Sequence, residues 1–279
     1  MILQLSSDRN ITRSSFESHG EAGDLDYSFW YEKRNELAKR IIEISFSAGE
    51  GHLASSLSVL DALILLYSIY DKDNDVICLS KGHASLALYA CLADRGMISN
   101  EELDHFCQNG SLLYGHPSSK SNSQIYLSTG SLGHGLPVCC GSALGRKISG
   151  STGHIFCVIG DGEANEGTTW ESALFASNLK LGNITCLMDN NKSSDRAIGL
   201  GNICEKFKSF GWATVDVSDG NNCFQIYNAI QQPNNGKPKF INLNTTKGKG
   251  CYSIENKPEW HHRSPKTRDE VQQLISNLY

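Results

Sequence analysis

Ile155-Phe-Cys-Val-Ile-Gly-Asp-Gly162 and, one connection later, Ile184-Thr-Cys-Leu-Met-Asp-Asn-Asn191 share one pattern: an unbroken apolar run that stops at small oxygen-bearing residues. Alternating polarity would mark a strand with one wet face; continuous apolarity fits strands covered on both faces. Between the two runs, residues 166–179 carry apolar side chains at helical spacing. Strand, helix, strand with this polarity predicts a right-handed crossover and parallel pairing.

The same alternation extends outward. Strands are expected over 75–79, 213–217 and 239–244. Helices are expected over 29–48, 55–70, 84–95, 136–148, 204–210, 222–231 and 267–278. Gly96 closes the helix over 84–95, and Ser99 with Glu102 three residues on is a capping-box signature. Residues 110–135, rich in Gly, Ser and His, read as loop. The fold class is therefore α/β, a mostly parallel sheet with helices on both faces. Residues 1–28 are expected to be a variable extension and 29–279 a single domain.

Composition narrows the function. A formal net charge of −5 leaves no basic footprint for nucleic acid. The longest apolar stretch, 59–70, is interrupted by Asp61 and is too short to cross a bilayer. Residues 1–20 lack the layout of a secretory signal. The ten cysteines include no C-x-x-C pair. They are expected to be buried free thiols of a cytoplasmic protein, with zinc ligation disfavoured by spacing.

Ligands of open parallel sheets bind beyond the carboxyl ends of the strands. That places Gly160-Asp161-Gly162 and Asp189-Asn190-Asn191 at the candidate site. Glycines flanking Asp161 let the backbone turn sharply and approach a ligand. The following helix start offers free N–H groups suited to a diphosphate. Asp161 and the amide oxygen of Asn191 are hard donors for Mg²⁺ or Ca²⁺. A Gly-Asp-Gly turn alone is common; the second oxygen cluster one crossover later is what points to a cation. Glu163 and Glu166 add an acidic helix start. Five of the nine histidines, at 52, 83, 116, 134 and 154, directly follow glycine. Imidazoles so placed can hold a polyol's hydroxyls and carry protons near neutral pH.

The run from Gly160 to Lys192, with its GDG opening, E-x-x-E-G, W-E-x-A and paired-Asn close, resembles the thiamine diphosphate motif of transketolases. Gly51-His52, Leu79-Ser-Lys-Gly-His83-Ala, Tyr114-Gly-His116-Pro and Thr129-Gly-Ser-Leu-Gly-His-Gly135 resemble further transketolase segments, over almost the whole chain from about residue 31. The resemblance implies the thiamine diphosphate-binding fold, with Asp161, Asn191 and the Ser193 carbonyl as metal ligands. It places Gly160, Gly162 and Glu163 with Asp161 on the diphosphate side, and Gly130 and Leu132 against the aminopyrimidine. His52, His83, His116 and His261 would surround the reacting centre, with His262 an alternative to His261 because the register is ambiguous by one. His83 and His261 would also touch the cofactor. Glu166 would lie at a subunit contact, and His19, His105 and His154 would be structural.

A transketolase continues into a domain bearing the glutamate that activates the aminopyrimidine. This sequence stops at Tyr279, so a separate C-terminal subunit is expected, in an α2β2 assembly. Two departures, Leu53 after His52 and Lys192-Ser-Ser-Asp195-Arg-Ala-Ile-Gly199, bear on the substrate. The expected activity is transfer of a two-carbon ketol unit from a ketose or ketose phosphate to an aldehyde. Decarboxylating transfer from a 2-oxo acid such as pyruvate is the alternative. A third reading is a non-catalytic, cofactor-holding protein. A dinucleotide site competes weakly, because the glycine loop is not G-x-G-x-x-G.

Overall fold

A computed structural model describes residues 27–195 and 197–279, with side chains from Trp30 onward. The expected extension over 1–28, with His19, falls almost wholly outside the described residues. The chain opens with α1 (Tyr27–Ala48) and α2 (Leu53–Ile69). All but the last residue of α2 is buried, the pattern of a helix surrounded by protein on every side. β1 (Val76–Leu79) follows, then a 3₁₀ turn (Gly82–Ala84), α3 (Ser85–Asp94) and α4 (Asn100–Asp104). The Ser99–Glu102 capping box forms as expected, with both reciprocal hydrogen bonds. After a long loop come α5 (Gly135–Ser149), β2 (Ile155–Gly160), a 3₁₀ turn (Glu163–Asn165), α6 (Gly167–Asn178), β3 (Ile184–Asn190), α7 (Ile203–Ser209), β4 (Ala213–Val217), α8 (Cys223–Gln231), β5 (Lys239–Asn244), a 3₁₀ turn (Pro258–Trp260) and α9 (Arg268–Ser276). The expected elements are all present, with ends shifted by up to two residues. The 3₁₀ turns at the site were not anticipated.

The five strands pair parallel in the order β1-β2-β3-β5-β4. Successive strand residues alternate between two cores. Ile77, Leu79, Phe156, Val158, Leu187 and Ile241 pack with α1, α2, α3, α8 and α9. Cys78, Cys157, Ile159, Cys186, Met188 and Phe240 pack with α5, α6 and α7. The order reverses between β3 and β5, so the connections on either side of that gap lie on opposite faces. The crevice left there, at the strands' carboxyl ends, is where such sheets hold ligands.

Two glycines position this end. Gly135 starts α5 against Ser80, and a Cβ there would stand 2.1 Å from the Ser80 hydroxyl. Gly130 has φ +132, a backbone that only glycine adopts without strain. Among the described residues, no helix is long and apolar enough to cross a membrane.

Candidate active site at the strand ends

β2 and β3 are neighbours, with Gly160 opposite Asp189, so the two oxygen clusters meet as the sequence predicted. Asp161 Oδ1 accepts the Gly162 N–H at 2.8 Å, and Oδ2 accepts the Ser194 N–H at 3.1 Å. Asn191 Oδ1 accepts the Ser193 N–H at 3.2 Å and also the Ser193 hydroxyl. Both side chains thus converge on the 193–194 backbone. Next to them the Ser194 hydroxyl is buried and has no partner among the described residues, as expected at a place built for a polar guest. Two oxygen donors of hard character and a backbone turn beside them fit a small divalent cation.

Beneath this pair lies Asp189, wholly buried and ion-paired with buried Lys81. Burial would raise the Asp189 carboxyl, but the Lys81 ammonium, together with hydrogen bonds from Thr245 and Ser58, holds it below its ordinary value. Asp189 also accepts from Ser58 Oγ at 2.7 Å and from the Thr245 hydroxyl. The Asn191 amide nitrogen donates to Ser58 Oγ at 3.1 Å and to Asp189 at 3.2 Å, which turns its oxygen toward the loop.

The loop after β5 contributes Lys247, a residue that sequence reasoning missed. Its ammonium donates to Ser193 Oγ at 2.7 Å and lies 3.0 Å from His261 Nδ1. Burial, reinforced by Lys81, lowers it to about 8. Asn191, Lys192, Ser193, Lys247, Asn256, Pro258 and His261 line a cleft of about 450 Å³. The sequence shows a lysine in the loop after Asn244, but not that β5 stands beside β3, which is what brings this loop to Ser193.

The four expected histidines are brought together, although they lie as far apart in sequence as 52 and 261. Ring centroids separate His52 from His83 by 5.4 Å, from His261 by 5.7 Å and from His116 by 6.3 Å. His83 and His261 are 6.1 Å apart. A backbone bridge between His52 and Arg263 carries the 260–263 segment to this cluster. His261 and His262 both belong to it but face different neighbours. His261 meets Lys247, whereas His262 stacks on His52 at 4.4 Å and bonds exposed Glu50 at 2.8 Å. Burial lowers His83 to about 2 and His52 to about 4, and shifts His261 downward. These imidazoles are neutral at physiological pH.

The glycine loop sits beside them. A Cβ on Gly82 would strike Thr129 and stand 3.3 Å from His116, so Gly130 lies next to the His83 turn. Leu132 is half-buried in the same loop. Glu163 departs from its expected place on the diphosphate side. Its carboxylate turns inward and accepts from the Ser80 hydroxyl, the Gly133 N–H at 2.9 Å and the Gly160 N–H at 3.3 Å. A buried carboxylate with three local donors available meets those first; Glu163 positions the loops and does not face the cleft. Glu166 is exposed. His154 is structural, bonding Thr185 at 2.8 Å, and His105 bonds its own helix.

Residues 47–278 match the family model described as transketolase, thiamine diphosphate binding domain. The chain belongs to the transketolase family. It is 35% identical over 272 residues to an apulose-4-phosphate transketolase subunit of Actinobacillus succinogenes, covering 91% of this chain and 98% of that one. It is 34% identical to a 6-deoxy-6-sulfo-D-fructose transketolase subunit of Clostridium sp., covering 82% and 88%. Against Homo sapiens transketolase it is 33% identical, covering 88% of this chain but only 41% of that protein. The crystal structure of Campylobacter jejuni transketolase superposes with a TM-score of 0.82 at 26% identity, over 89% of this chain and 42% of that one. A Pichia stipitis transketolase mutant gives 0.81, also at 26% identity. This transketolase-family chain is thus a transferase subunit that binds thiamine diphosphate. It matches nearly the full length of relatives that are themselves named as single transketolase subunits, and less than half of the long transketolases.

The depressed histidines set an acid limit on stability. His52 and His154 bind protons in the unfolded chain near pH 6.5 but in the folded chain only near 4. Their contribution is present above about pH 6.5 and is lost as pH falls toward about 4. The melting temperature of the chain should therefore drop between about pH 7 and about pH 5. His154→Gln, away from the site, should flatten that slope; an unchanged slope would refute the assignment.

Proposed function

We propose that the chain is the diphosphate-binding half of a two-subunit transketolase that moves a two-carbon ketol unit from a ketose, phosphorylated or similarly anionic, to an aldehyde. The convergence of Asp161 and Asn191 on the 193–194 turn, beside Lys247, carries this reading. Asp161, Asn191 and the Ser193 carbonyl would hold Mg²⁺ or Ca²⁺, and Gly160 and Gly162 would border the diphosphate. Lys247 would neutralise the diphosphate that the cation leaves uncompensated. Thiamine diphosphate, when bound, supplies the nucleophilic carbon and the electron sink.

The remaining work belongs to the chain's own groups. Gly130 and Leu132 would pack against the aminopyrimidine. His83, kept neutral by burial, can stand near a cationic thiazolium without repelling it. His52 and His116 would hold donor hydroxyls, and the His52 imidazole, kept neutral by burial, both donates and accepts there. His261, polarised by Lys247 on Nδ1, would offer its other nitrogen to the carbonyl oxygen of the substrate. His262 would steady the His52 ring by stacking. Residues 29–279 would form one domain, and Glu166 would sit at a subunit contact.

A second polypeptide would supply the glutamate for the aminopyrimidine, in an α2β2 assembly of the cytoplasm. The names of the relatives matched over nearly their full length support a partner, as do exposed Val138 on α5 and Leu174 and Phe175 on α6. Purified alone, the chain should turn over no ketose phosphate. Co-expression with a chain carrying the remaining domains should give donor cleavage that needs both thiamine diphosphate and Mg²⁺. Carbon dioxide release from pyruvate without ketose turnover would instead indicate 2-oxo acid transfer. Cofactor binding without turnover of either donor would indicate a non-catalytic role.

A further inference from the structure

Three cysteines that sequence spacing kept apart meet in the core behind the active site. Cys78 lies on β1, Cys157 directly opposite it on β2, and Cys139 on α5, which covers that face. Their sulfurs all lie within 4.8 Å of one another. Each residue is at most 1% exposed, and each is a free thiol. The surrounding layer, with Leu136, Ala143, Ile159 and Met188, is apolar. Among the described residues, no fourth Cys, His, Asp or Glu joins the group.

Donor number, softness and charge select a guest. Three sulfur donors favour a thiophilic centre. Zinc prefers four ligands, and a water in the fourth place would be poorly held in a dry apolar layer. Three thiolates around a monovalent or divalent ion leave net negative charge, which burial penalises heavily. A trivalent centre leaves none. We propose that Cys78, Cys139 and Cys157 form a binding site for one trivalent thiophilic metalloid, with As(III) as its simplest member. Arsenous acid, As(OH)₃, exchanges three As–O bonds for three As–S bonds. Each thiol proton leaves with one hydroxyl as water, so three waters are released. Arsenic stays trivalent, no electron is transferred, and the product is neutral. The three sulfurs, already within 4.8 Å of one another, would have to close in further to share one atom.

The bridge would reach the active site through the sheet. Cys78 is two residues before Ser80 and Cys157 three before Gly160, and Glu163 accepts hydrogen bonds from both of those. Joining β1, β2 and α5 would fix the spacing of the strand ends that present His83 and Asp161. Entry requires opening of β1, a four-residue edge strand, so binding should be slow and faster in mild urea.

The full chain, kept reduced with a phosphine, is incubated with arsenite and freed of excess by gel filtration. Intact mass should show one added arsenic less three hydrogens, and X-ray absorption should show three sulfur neighbours. Cys78→Ala, Cys139→Ala and Cys157→Ala, each checked for native circular dichroism, should weaken retention about tenfold or more. Cys186→Ala, in the same strand row but outside the group, should not. Retention by the denatured chain alone, two sulfur neighbours, or equal loss in Cys186→Ala would overturn the proposal. So would stoichiometric Zn²⁺ held by the same three cysteines in a parallel incubation. None of these readouts depends on transketolase turnover.

Discussion

Asp161→Ala should abolish metal-dependent uptake of thiamine diphosphate and, with the proposed partner subunit present, lower ketol transfer to about 1% or less of the parent, because losing a proposed direct ligand should exceed the 10–100-fold cost of losing one that only supports a ligand. The carboxylate does two things at once. It would offer oxygen to the cation, and its Oδ2 anchors the Ser194 N–H, beside the Ser193 carbonyl that would be the third ligand. Removing it releases the loop as well as the charge. Asn191→Ala should behave similarly, since Asn191 anchors the adjacent Ser193 N–H. Titration calorimetry with Mg²⁺ and thiamine diphosphate reads the effect without catalysis. Unchanged metal-dependent heat in Asp161→Ala would remove the basis of the site. The melting temperature of the apo chain should fall only slightly, because Asp161 lies at the crevice and not in either core.

The second large effect concerns stability. Asp189→Ala leaves the Lys81 ammonium buried without its counter-charge, strands the Thr245 hydroxyl and leaves Ser58 only its longer bond to the Ser55 carbonyl. Breaking one side of such a pair costs roughly 3–5 kcal/mol. Urea denaturation of the chain alone should show that loss. Lys81→Met combined with Asp189→Asn removes both charges while keeping an acceptor for the hydroxyls, and should recover most of it. If Asp189→Ala costs under about 1 kcal/mol, then Lys81 has found water and the pair is not sealed. The pair's place explains why burial is tolerated. Asp189 precedes Asn191 by two residues, so the cost of holding a charge in the floor fixes the amide above it.

Much of this is legible in the residues alone. Element type and order follow from the apolar runs and their glycine and asparagine ends. The meeting of Asp161 with Asn191 follows from assuming that β2 and β3 are neighbours. The place of β5 between β3 and β4 is not legible, because periodicity reports which face is buried and not which strand stands alongside. Lys247 was missed for that reason: only the inserted β5 brings its loop to β3. Glu163 misled for another. An acidic residue at a helix start suits the dipole or a ligand, and sequence cannot show that Ser80, Gly133 and Gly160 converge on it first. His261 and His262 are adjacent in sequence, and only the turn at Pro258–Trp260 decides which meets Lys247 and which Glu50. The cysteine trio is invisible to spacing because its members sit on two strands and a helix.

The inward carboxylate of Glu163 has a consequence for substitution. All three of its neighbours, the Ser80 hydroxyl and the Gly133 and Gly160 amides, give hydrogen atoms and ask for lone pairs. Glutamine matches its shape yet carries a hydrogen-bearing nitrogen on one branch. Whichever way that amide flips, one of its N–H groups must confront another N–H or O–H. The position therefore rejects its closest isostere on grounds of polarity alone, and three loops at the strand ends depend on one buried carboxylate that all of them donate to.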